Sequence, residues 1–157
     1  MRAMIKAFKK LGHEVETCIV GGEVPSTKTG ISAGGVQQKI KKMIPSLFWE
    51  TAKDFSLLNA DRQAKKRLNN MLRNFTPDII YERGYYLMTS GVQVAKKYHI
   101  PHALEVNSPF PEERREMSGN SLLLAYARRK ERIQIQNTGK LVVVSTALRD
   151  YLDRIVP

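Results

Sequence analysis

Polar side chains that could bind a ligand follow an apolar run in the middle of the sequence. Glu82, Arg83 and Gly84 come directly after the run Asp78-Ile79-Ile80-Tyr81. The guanidinium of Arg83 could orient hydroxyl or phosphate groups, and Gly84 would let a ligand approach the backbone. A local ion pair between Glu82 and Arg83 explains the same spacing equally well. The stretch therefore indicates either a binding site or a structural ion pair.

A second polar pair occurs in the run Leu104-Glu105-Val106-Asn107. Glu105 interrupts an apolar strand, where a carboxylate is costly unless it is paired or lies at the wet end of the strand. Residues two apart in a strand point to the same side, so Glu105 and Asn107 could together bind a ligand rich in hydroxyl groups. The alternative is that Glu105 is buried and pairs with Arg83 to fix the sheet.

Ser145, Gly21 and Gly22 are further candidates, because each follows a run typical of a strand. Ser145 is most simply the N-cap of a helix, and the N-terminus of that helix could also face an anion. Gly21 and Gly22 begin a stretch rich in glycine, serine and threonine, which predicts a flexible loop over about residues 21–35. This loop lacks the spacing of the known phosphate-binding glycine motifs.

The sequence identifies no catalytic side chain and no metal site. The zinc motif H-E-x-x-H is absent, and the single cysteine, Cys18, can form neither an internal disulfide nor a cysteine-based zinc site. Three histidines fall at predicted helix-to-strand turns, where we interpret them as turn and capping residues: His13, His99 and His102. We therefore expect no metal and no cofactor.

Alternating strands and helices must position these candidates. The pattern predicts strands over residues 15–20, 78–81, 103–106 and 141–144, and helices over 1–11, 46–75, about 85–98, about 111–137 with a break near Gly119, and 146–152. The helix over 46–75 carries its apolar residues, Phe48 and Phe55 among them, mostly at three- and four-residue steps. Such alternation indicates a mostly parallel sheet covered on both faces, and right-handed crossovers make it doubly wound. Ligands bind at the carboxyl ends of the strands in such sheets.

The length of 157 residues suits one domain, which we expect to be incomplete. The chain opens on an amphipathic helix, where a doubly wound domain normally has a first strand. It also stops just after its last predicted helix. The pattern therefore predicts a single α/β domain over residues 1–157 that lacks its first strand.

The chain has 26 basic and 15 acidic residues, so its formal net charge is +11. The charge is spread along the chain, with short basic clusters at residues 39–42, 65–67 and 128–132. These clusters either attract anions, such as phosphorylated substrates and lipid headgroups, or form solvated helix faces. No apolar run approaches the ~20 residues that cross a bilayer, so we expect a soluble, cytoplasmic protein.

Four stretches, taken in order, resemble glycosyltransferases of family 4, which have the GT-B fold. Residues 7–15 resemble the first helix and second strand of that family, and residues 77–83 resemble its fourth strand. Ile100-Pro101, residues 104–109 and Glu113 match the "IP…LEVN-P…E" stretch of one bacterial and archaeal subgroup. Residues 142–152 match the "VVVSxALRDYL" that closes the N-terminal domain of the family. The resemblance covers nearly the whole chain outside residues 21–60.

The resemblance implies a Rossmann-like domain that forms the acceptor-binding half of a retaining glycosyltransferase. Such enzymes transfer a sugar from a nucleotide sugar to a glycan or lipid-linked acceptor, without an obligatory metal. The nucleotide sugar binds mainly to a C-terminal domain that this chain lacks, so we expect the chain alone to be inactive. Residues that the resemblance places toward the acceptor are Glu82, Arg83, Gly84, Glu105, Asn107 and Glu113, with Gly21, Gly22 and Ser145 at the edge of the cleft.

A different class of function is also compatible with the composition. The chain could be a non-catalytic, basic Rossmann-like module that binds anionic lipid or nucleic acid. Such a module would collect its basic residues on one face with interleaved aromatic side chains, whereas the charge here is evenly spread. We therefore expect no nucleic-acid partner. The basic clusters favour peripheral contact with the inner face of an anionic membrane.

Overall fold

The computed structural model of the protein describes residues 2–19 and 46–156. Six helices lie in these ranges: α1 (Arg2–Lys10), α2 (Ser46–Met71), α3 (Ser90–Tyr98), α4 (Phe110–Ser118), α5 (Leu124–Gln136) and α6 (Thr146–Ile155). Three strands accompany them: β1 (Ile80–Arg83), β2 (His102–Val106) and β3 (Lys140–Val143). The described chain is therefore an α/β fold, as the alternating pattern predicts.

The three strands form one parallel sheet in the order β1-β2-β3. Arg83 pairs with Glu105 across β1 and β2, and Val106 pairs with Val143 across β2 and β3. Because all strands run in the same direction, their carboxyl ends meet at one edge, which we call the carboxyl edge. The predicted parallel, Rossmann-like sheet is confirmed.

Helices contact both faces of this sheet. On one face, Leu104 and Val106 of β2 pack against Leu148 and Leu152 of α6 to form the main apolar core. On the other face, the ring of Phe8 in α1 lies 6.1 Å from the ring of Tyr81 in β1. Alternation along β1 assigns Tyr81 and Arg83 to the α1 face and Glu82 to the core face.

Helix α2 is anchored by its acidic residues. Its buried side chains include Glu50, Asp54 and Asp61, whereas Phe48 is 56% exposed and Phe55 is 59% exposed. The aromatic residues therefore face solvent although their spacing is typical of a core-facing stripe. The acidic side of the helix faces inward because basic residues elsewhere in the fold pair with it. For example, Arg114 binds Glu50 at 2.6 Å.

Several local predictions differ from the structure. Residues 13–19 form no strand, because no neighbouring segment within the described ranges pairs with them, and the remaining predicted strand residue, Val20, lies outside those ranges. The helix expected from about residue 85 begins only at Ser90, because the chain first makes a turn in which Leu87 has a φ of 62°. Gly119, with a φ of 87°, ends α4, which confirms the break between α4 and α5.

The histidines divide into caps and a strand residue. His99 is the C-cap of α3, with a left-handed φ of 55°, as interpreted from the sequence. His102 is instead the first residue of β2, and its interpretation as a turn residue is wrong. Its ring is buried because polar groups of two neighbouring segments take up both of its nitrogens, as described below.

Candidate functional site

The carboxyl edge brings together the ends of β1, β2 and β3, where Arg83, Asn107 and Ser145 follow one another across the sheet. Arg83 is the last residue of β1, and Asn107 is the first residue after β2 and is partly buried. The Gly84 N–H donates to the Glu105 carbonyl at 2.7 Å, which extends the pairing of the two strands by one residue. The sequence-predicted positions therefore share one edge.

Gly84 is required here by packing within the protein. A Cβ added at this position would lie 2.8 Å from a ring atom of Phe110 and 3.1 Å from the Glu105 carbonyl oxygen. No side chain fits at these distances unless the Phe110 ring moves. The absence of a side chain at Gly84 lets the chain after β2 close over the end of β1, while its role toward an acceptor stays a prediction.

The carboxylate of Glu82 points away from Arg83 and is taken up inside the protein. It accepts hydrogen bonds from the N–H groups of Gly91 at 3.3 Å and Val92 at 3.1 Å, in the first turn of α3. His102 Nε2 lies 3.0 Å from Glu82 Oε2, and its Nδ1 lies 2.9 Å from the hydroxyl of Thr138. The structure thus gives Glu82 a structural function, and its contact with an acceptor stays a prediction.

A second carboxylate completes the N-terminus of α3. Asp61 of α2 accepts from the N–H groups of Thr89 at 2.9 Å and Ser90 at 2.8 Å. Together with Glu82, it satisfies four successive backbone donors that an isolated helix would leave without partners. A helix N-terminus that follows a strand commonly binds a ligand anion, but here the protein's own carboxylates occupy that position.

Glu105 fixes the other face of the sheet. The hydroxyl of Tyr81 donates to Glu105 Oε2 at 2.8 Å, and Arg83 Nε lies 3.6 Å from Oε1. Burial, reinforced by the neighbouring Glu105, raises the pKa of Tyr81 to about 12, so the phenol stays a donor. The side chain of Glu105 is 17% exposed, whereas that of Arg83 is 45% exposed. The ion pair therefore forms, and part of the guanidinium still faces solvent.

The loop after β2 is held by two glutamates at the start of α4. Glu113 accepts a hydrogen bond from the hydroxyl of Ser108, one residue beyond Asn107. Glu112 binds Arg128 of α5 at 2.8 and 3.1 Å, and this hydrogen bonding holds the pKa of Glu112 below its usual value. Glu113 thus holds the residue after Asn107 in place, while its contact with an acceptor stays a prediction.

Ser145 is the N-cap of α6. It has an extended backbone, and its hydroxyl accepts from the Leu148 N–H at 3.2 Å. The capping prediction is confirmed, whereas a role at the edge of a cleft stays a prediction. Gly21, Gly22 and the loop expected over about residues 21–35 lie outside the described residues.

Half of the cations in the basic cluster at residues 128–132 take part in the packing. Arg128 binds Glu112, and Lys130 binds Asp61 at 2.8 Å. Burial alone would raise the pKa of Asp61, but hydrogen bonds from Lys130 and the Thr89 backbone bring it below its usual value. Two of the cluster's cations therefore have structural partners, which leaves less charge for an external anion than the sequence alone implies.

Two polar residues of α5, Glu131 and Gln134, are candidates that the sequence analysis missed. Both are buried, and both line a small cavity beside the loop after β1. Burial raises the pKa of Glu131 to about 7. Their signal in the sequence is the spacing of four and seven residues from the buried Ala127, which places all three on one side of the helix.

Metal binding and membrane crossing can be checked within the described ranges. Across residues 2–19 and 46–156, histidine, cysteine, aspartate and glutamate nowhere gather in a group of three or more that could hold a metal ion. None of the helices in the same ranges combines the length and apolar character needed to cross a bilayer.

Comparison with known proteins gives one match. The model of the family described as Glycosyltransferase Family 4 matches residues 1–157. No curated protein and no solved structure matches the chain.

Proposed function

The chain belongs to Glycosyltransferase Family 4, and from this premise we propose that it is the acceptor-binding half of a retaining glycosyltransferase. The proposed reaction moves a sugar from a nucleotide sugar to a glycan or lipid-linked acceptor. The observation that carries the proposal is the position of Arg83, which is partly exposed at the carboxyl edge. Arg83 ends β1, and Asn107 follows the neighbouring strand β2 at the same edge. In open α/β sheets this edge is where ligands bind.

Arg83 and Asn107 supply complementary chemistry for an acceptor. Glu105 contacts one side of the guanidinium, so its remaining N–H groups can donate to a phosphate or hydroxyl oxygen. The amide of Asn107 both donates and accepts, which suits a sugar hydroxyl. Glu113 holds this loop through Ser108. The Tyr81–Glu105–Arg83 contacts restrict the guanidinium before the acceptor binds, so less side-chain freedom is lost on binding.

The donor side of the reaction is assigned to a C-terminal domain outside this chain. That domain binds the nucleotide sugar, and its cationic groups stabilise the leaving diphosphate. The present chain contributes acceptor position and orientation, which lower the barrier by removing translational and rotational freedom in advance. We assign no catalytic side chain and no metal or cofactor to the chain itself.

The exposed side of α2 favours contact with a membrane that carries the acceptor. Phe48 and Phe55 are seven residues apart, so they lie on the same side of the helix, and both are more than half exposed. The net charge of +11 adds attraction to anionic headgroups. We therefore assign the protein to the cytoplasm, with peripheral contact at the inner membrane face.

A binding experiment tests the acceptor role. Saturation-transfer NMR compares simple glycosides and a short polyprenyl phosphate with UDP-glucose and GDP-mannose. We expect acceptor-type compounds to bind and nucleotide sugars to bind more weakly, and Arg83→Ala to weaken the phosphate-bearing acceptor. Arg129→Ala is the matched control, because Arg129 carries the same charge and is exposed on α5 rather than at the end of a strand. Tighter binding of a nucleotide sugar than of every acceptor would contradict the proposal.

A further inference from the structure

A small cavity lies next to the carboxyl edge, between the loop after β1 and helix α5. Its walls include the aromatic residues Tyr85 and Phe110 and the polar residues Glu131 and Gln134. The space open to the centre of a water molecule is about 10 Å³. A volume of this size holds about one oxygen atom with its hydrogens.

Two polar atoms of residues that line the cavity have no hydrogen-bond partner among the described residues. They are Oε1 of Glu131 and Nε2 of Gln134. Glu131 is 7% exposed and Gln134 is 3% exposed, so bulk water does not solvate them freely. Buried polar groups in native proteins are nearly always bonded, and two such atoms in one cavity indicate a missing bonding partner.

The chemistry of the two atoms defines that partner. A carboxylate oxygen accepts a hydrogen bond and an amide nitrogen donates one, so a single group that bonds to both must both donate and accept. An ammonium only donates and a phosphate dianion only accepts, and a phosphate is also too large for the cavity. A water molecule and the hydroxyl group of an alcohol both meet these requirements. Such a hydroxyl group can bond to Glu131 in either protonation state and bonds more strongly to the charged carboxylate. Because burial raises the pKa of this residue to about 7, the affinity for a hydroxyl compound should rise as the pH rises through that value.

The cavity lies beside the loop after β1, and its wall residue Phe110 packs against the core face of the sheet, whereas Arg83 lies on the α1 face. Tyr85 lies two residues after Arg83 and is exposed, so it offers an aromatic surface at the mouth of the cavity. Phe110, in the opposite wall, lies against Gly84 at the end of β1. A ligand that contacts both Arg83 and the cavity must therefore extend across the carboxyl edge.

We propose that the cavity is a subsite that receives one hydroxyl group of a polyhydroxylated acceptor, bonded between Glu131 and Gln134. That the bound hydroxyl belongs to an acceptor rests on the acceptor role proposed above. The pocket itself requires only a hydroxyl compound whose carbon face can lie on Tyr85, such as a pyranose or a cyclic polyol.

An NMR titration of the 157-residue chain tests the subsite. The probes are myo-inositol and methyl glucoside, and the signals to follow are the Gln134 side-chain amide and the Phe110 backbone amide. We expect both signals to shift. Gln134→Met keeps the length of the side chain and removes the donor, so it should weaken the probe about three- to tenfold, the value of one net hydrogen bond. Gln136→Met is the matched control, because Gln136 is exposed two residues further along α5.

Stability and pH give independent readouts. Gln134→Met removes an unpartnered buried group, so the midpoint of unfolding should be unchanged or raised while probe affinity falls. Glu131→Gln keeps the shape and removes the titration, so the pH dependence of probe affinity around pH 7 should be lost. If Gln134→Met does not fold, the Glu131→Gln measurement alone decides.

The possible results separate the subsite from the wider function. If a probe binds Gln134→Met as tightly as Gln136→Met, the subsite is wrong, and the acceptor role stands because the probe binds elsewhere. If the Gln134 amide signal does not move at the highest soluble probe concentration, the cavity holds water only and the proposal is overturned. If the chain binds nucleotide sugars more tightly than acceptors, the acceptor role is contradicted. The subsite still stands in that case, provided that probe affinity depends on Gln134.

Discussion

Replacing Glu105 with glutamine tests how the sheet holds Arg83 at the carboxyl edge. The change removes the negative charge and keeps the size of the side chain. The ion pair with Arg83 spans 3.6 Å, and the guanidinium is 45% exposed. Ion pairs of this exposure contribute about 0.2–1 kcal/mol to the free energy of unfolding.

The hydrogen bond from Tyr81 adds a second contribution. At 2.8 Å it is charge-assisted, and a glutamine oxygen at the same place would accept it as a neutral group. Hydrogen bonds to charged groups contribute about 1.5–3 kcal/mol and neutral ones about 0.5–1.5, so the difference is about 1 kcal/mol. We therefore expect Glu105→Gln to lower the free energy of unfolding by about 1–2 kcal/mol.

Chemical denaturation at neutral pH measures this loss, with Glu14→Gln as the control because Glu14 is exposed. The comparison holds if both variants unfold in two-state fashion with unchanged denaturant slopes. Tyr81→Phe completes a double-mutant cycle, in which we expect a coupling energy of about 1 kcal/mol. A loss of about 3 kcal/mol or more would refute the reasoning, since that is the cost of stranding a buried charge. A loss equal to the control would show that neither contact stabilises the fold.

Four further predictions concern other parts of the molecule. Asp61→Asn should lower the free energy of unfolding by about 3 kcal/mol, because it removes the ion-pair partner of the largely buried Lys130. Since the pKa of Asp61 is lowered in the folded state, its stabilisation should fade as pH falls below about 4, and a pH series of denaturation curves checks both expectations. For Glu131 the sign is opposite, because its folded pKa is raised: stability should fall as pH rises from about 4.3 toward 7, and Glu131→Gln should flatten that dependence. The purified chain should transfer no sugar from radiolabelled nucleotide sugars, and turnover above a control without protein would contradict this. Binding to anionic liposomes should weaken between 0.1 M and 1 M salt, because the Debye length falls from about 10 to about 3 Å. The Phe55→Ser variant should bind more weakly than the unchanged protein. Sedimentation with the liposomes that persists in high salt would indicate hydrophobic insertion instead.

The positions of the sheet edge could be read from the sequence with good accuracy. Short runs typical of strands, bounded by polar or glycine residues, identify β1, β2 and β3 to within two residues, although only β2 is mostly buried. The residues that follow these runs therefore fall at the carboxyl edge regardless of details inside the helices.

The directions of the Glu82 and Arg83 side chains depend on strand alternation. Adjacent residues in a strand point to opposite faces, so these two side chains could not both face one ligand once β1 was known to include them. The sequence pattern predicts that this strand ends at Tyr81, which would place both residues in a loop, whereas the strand continues to Arg83. Because the predicted strand ends two residues too early, the prediction could not assign the two charged side chains to opposite faces of the sheet.

The burial of α2 could not be predicted from its own pattern. Its aromatic residues have helical spacing, but Glu50, Asp54 and Asp61 find partners that are 28 to 69 residues away, such as Thr89 and Lys130. No local rule connects positions so distant in the sequence. The same holds for the cavity at Glu131 and Gln134, since the wall from Tyr85 to Phe110 forms only when the loops after β1 and β2 meet.

Anchoring α2 through carboxylates has a consequence for how the helix can be oriented. An apolar contact tolerates a small rotation or slide, because methyl groups exchange one neighbour for another at little cost. Asp54 and Asp61 are seven residues apart, on one side of the helix, and each needs its own partner: Arg114 for the first, Lys130 for the second. A rotation of α2 about its axis would strand both charges at once. The azimuth of the helix is therefore set by electrostatics, and the outward direction of Phe48 and Phe55 is fixed with it.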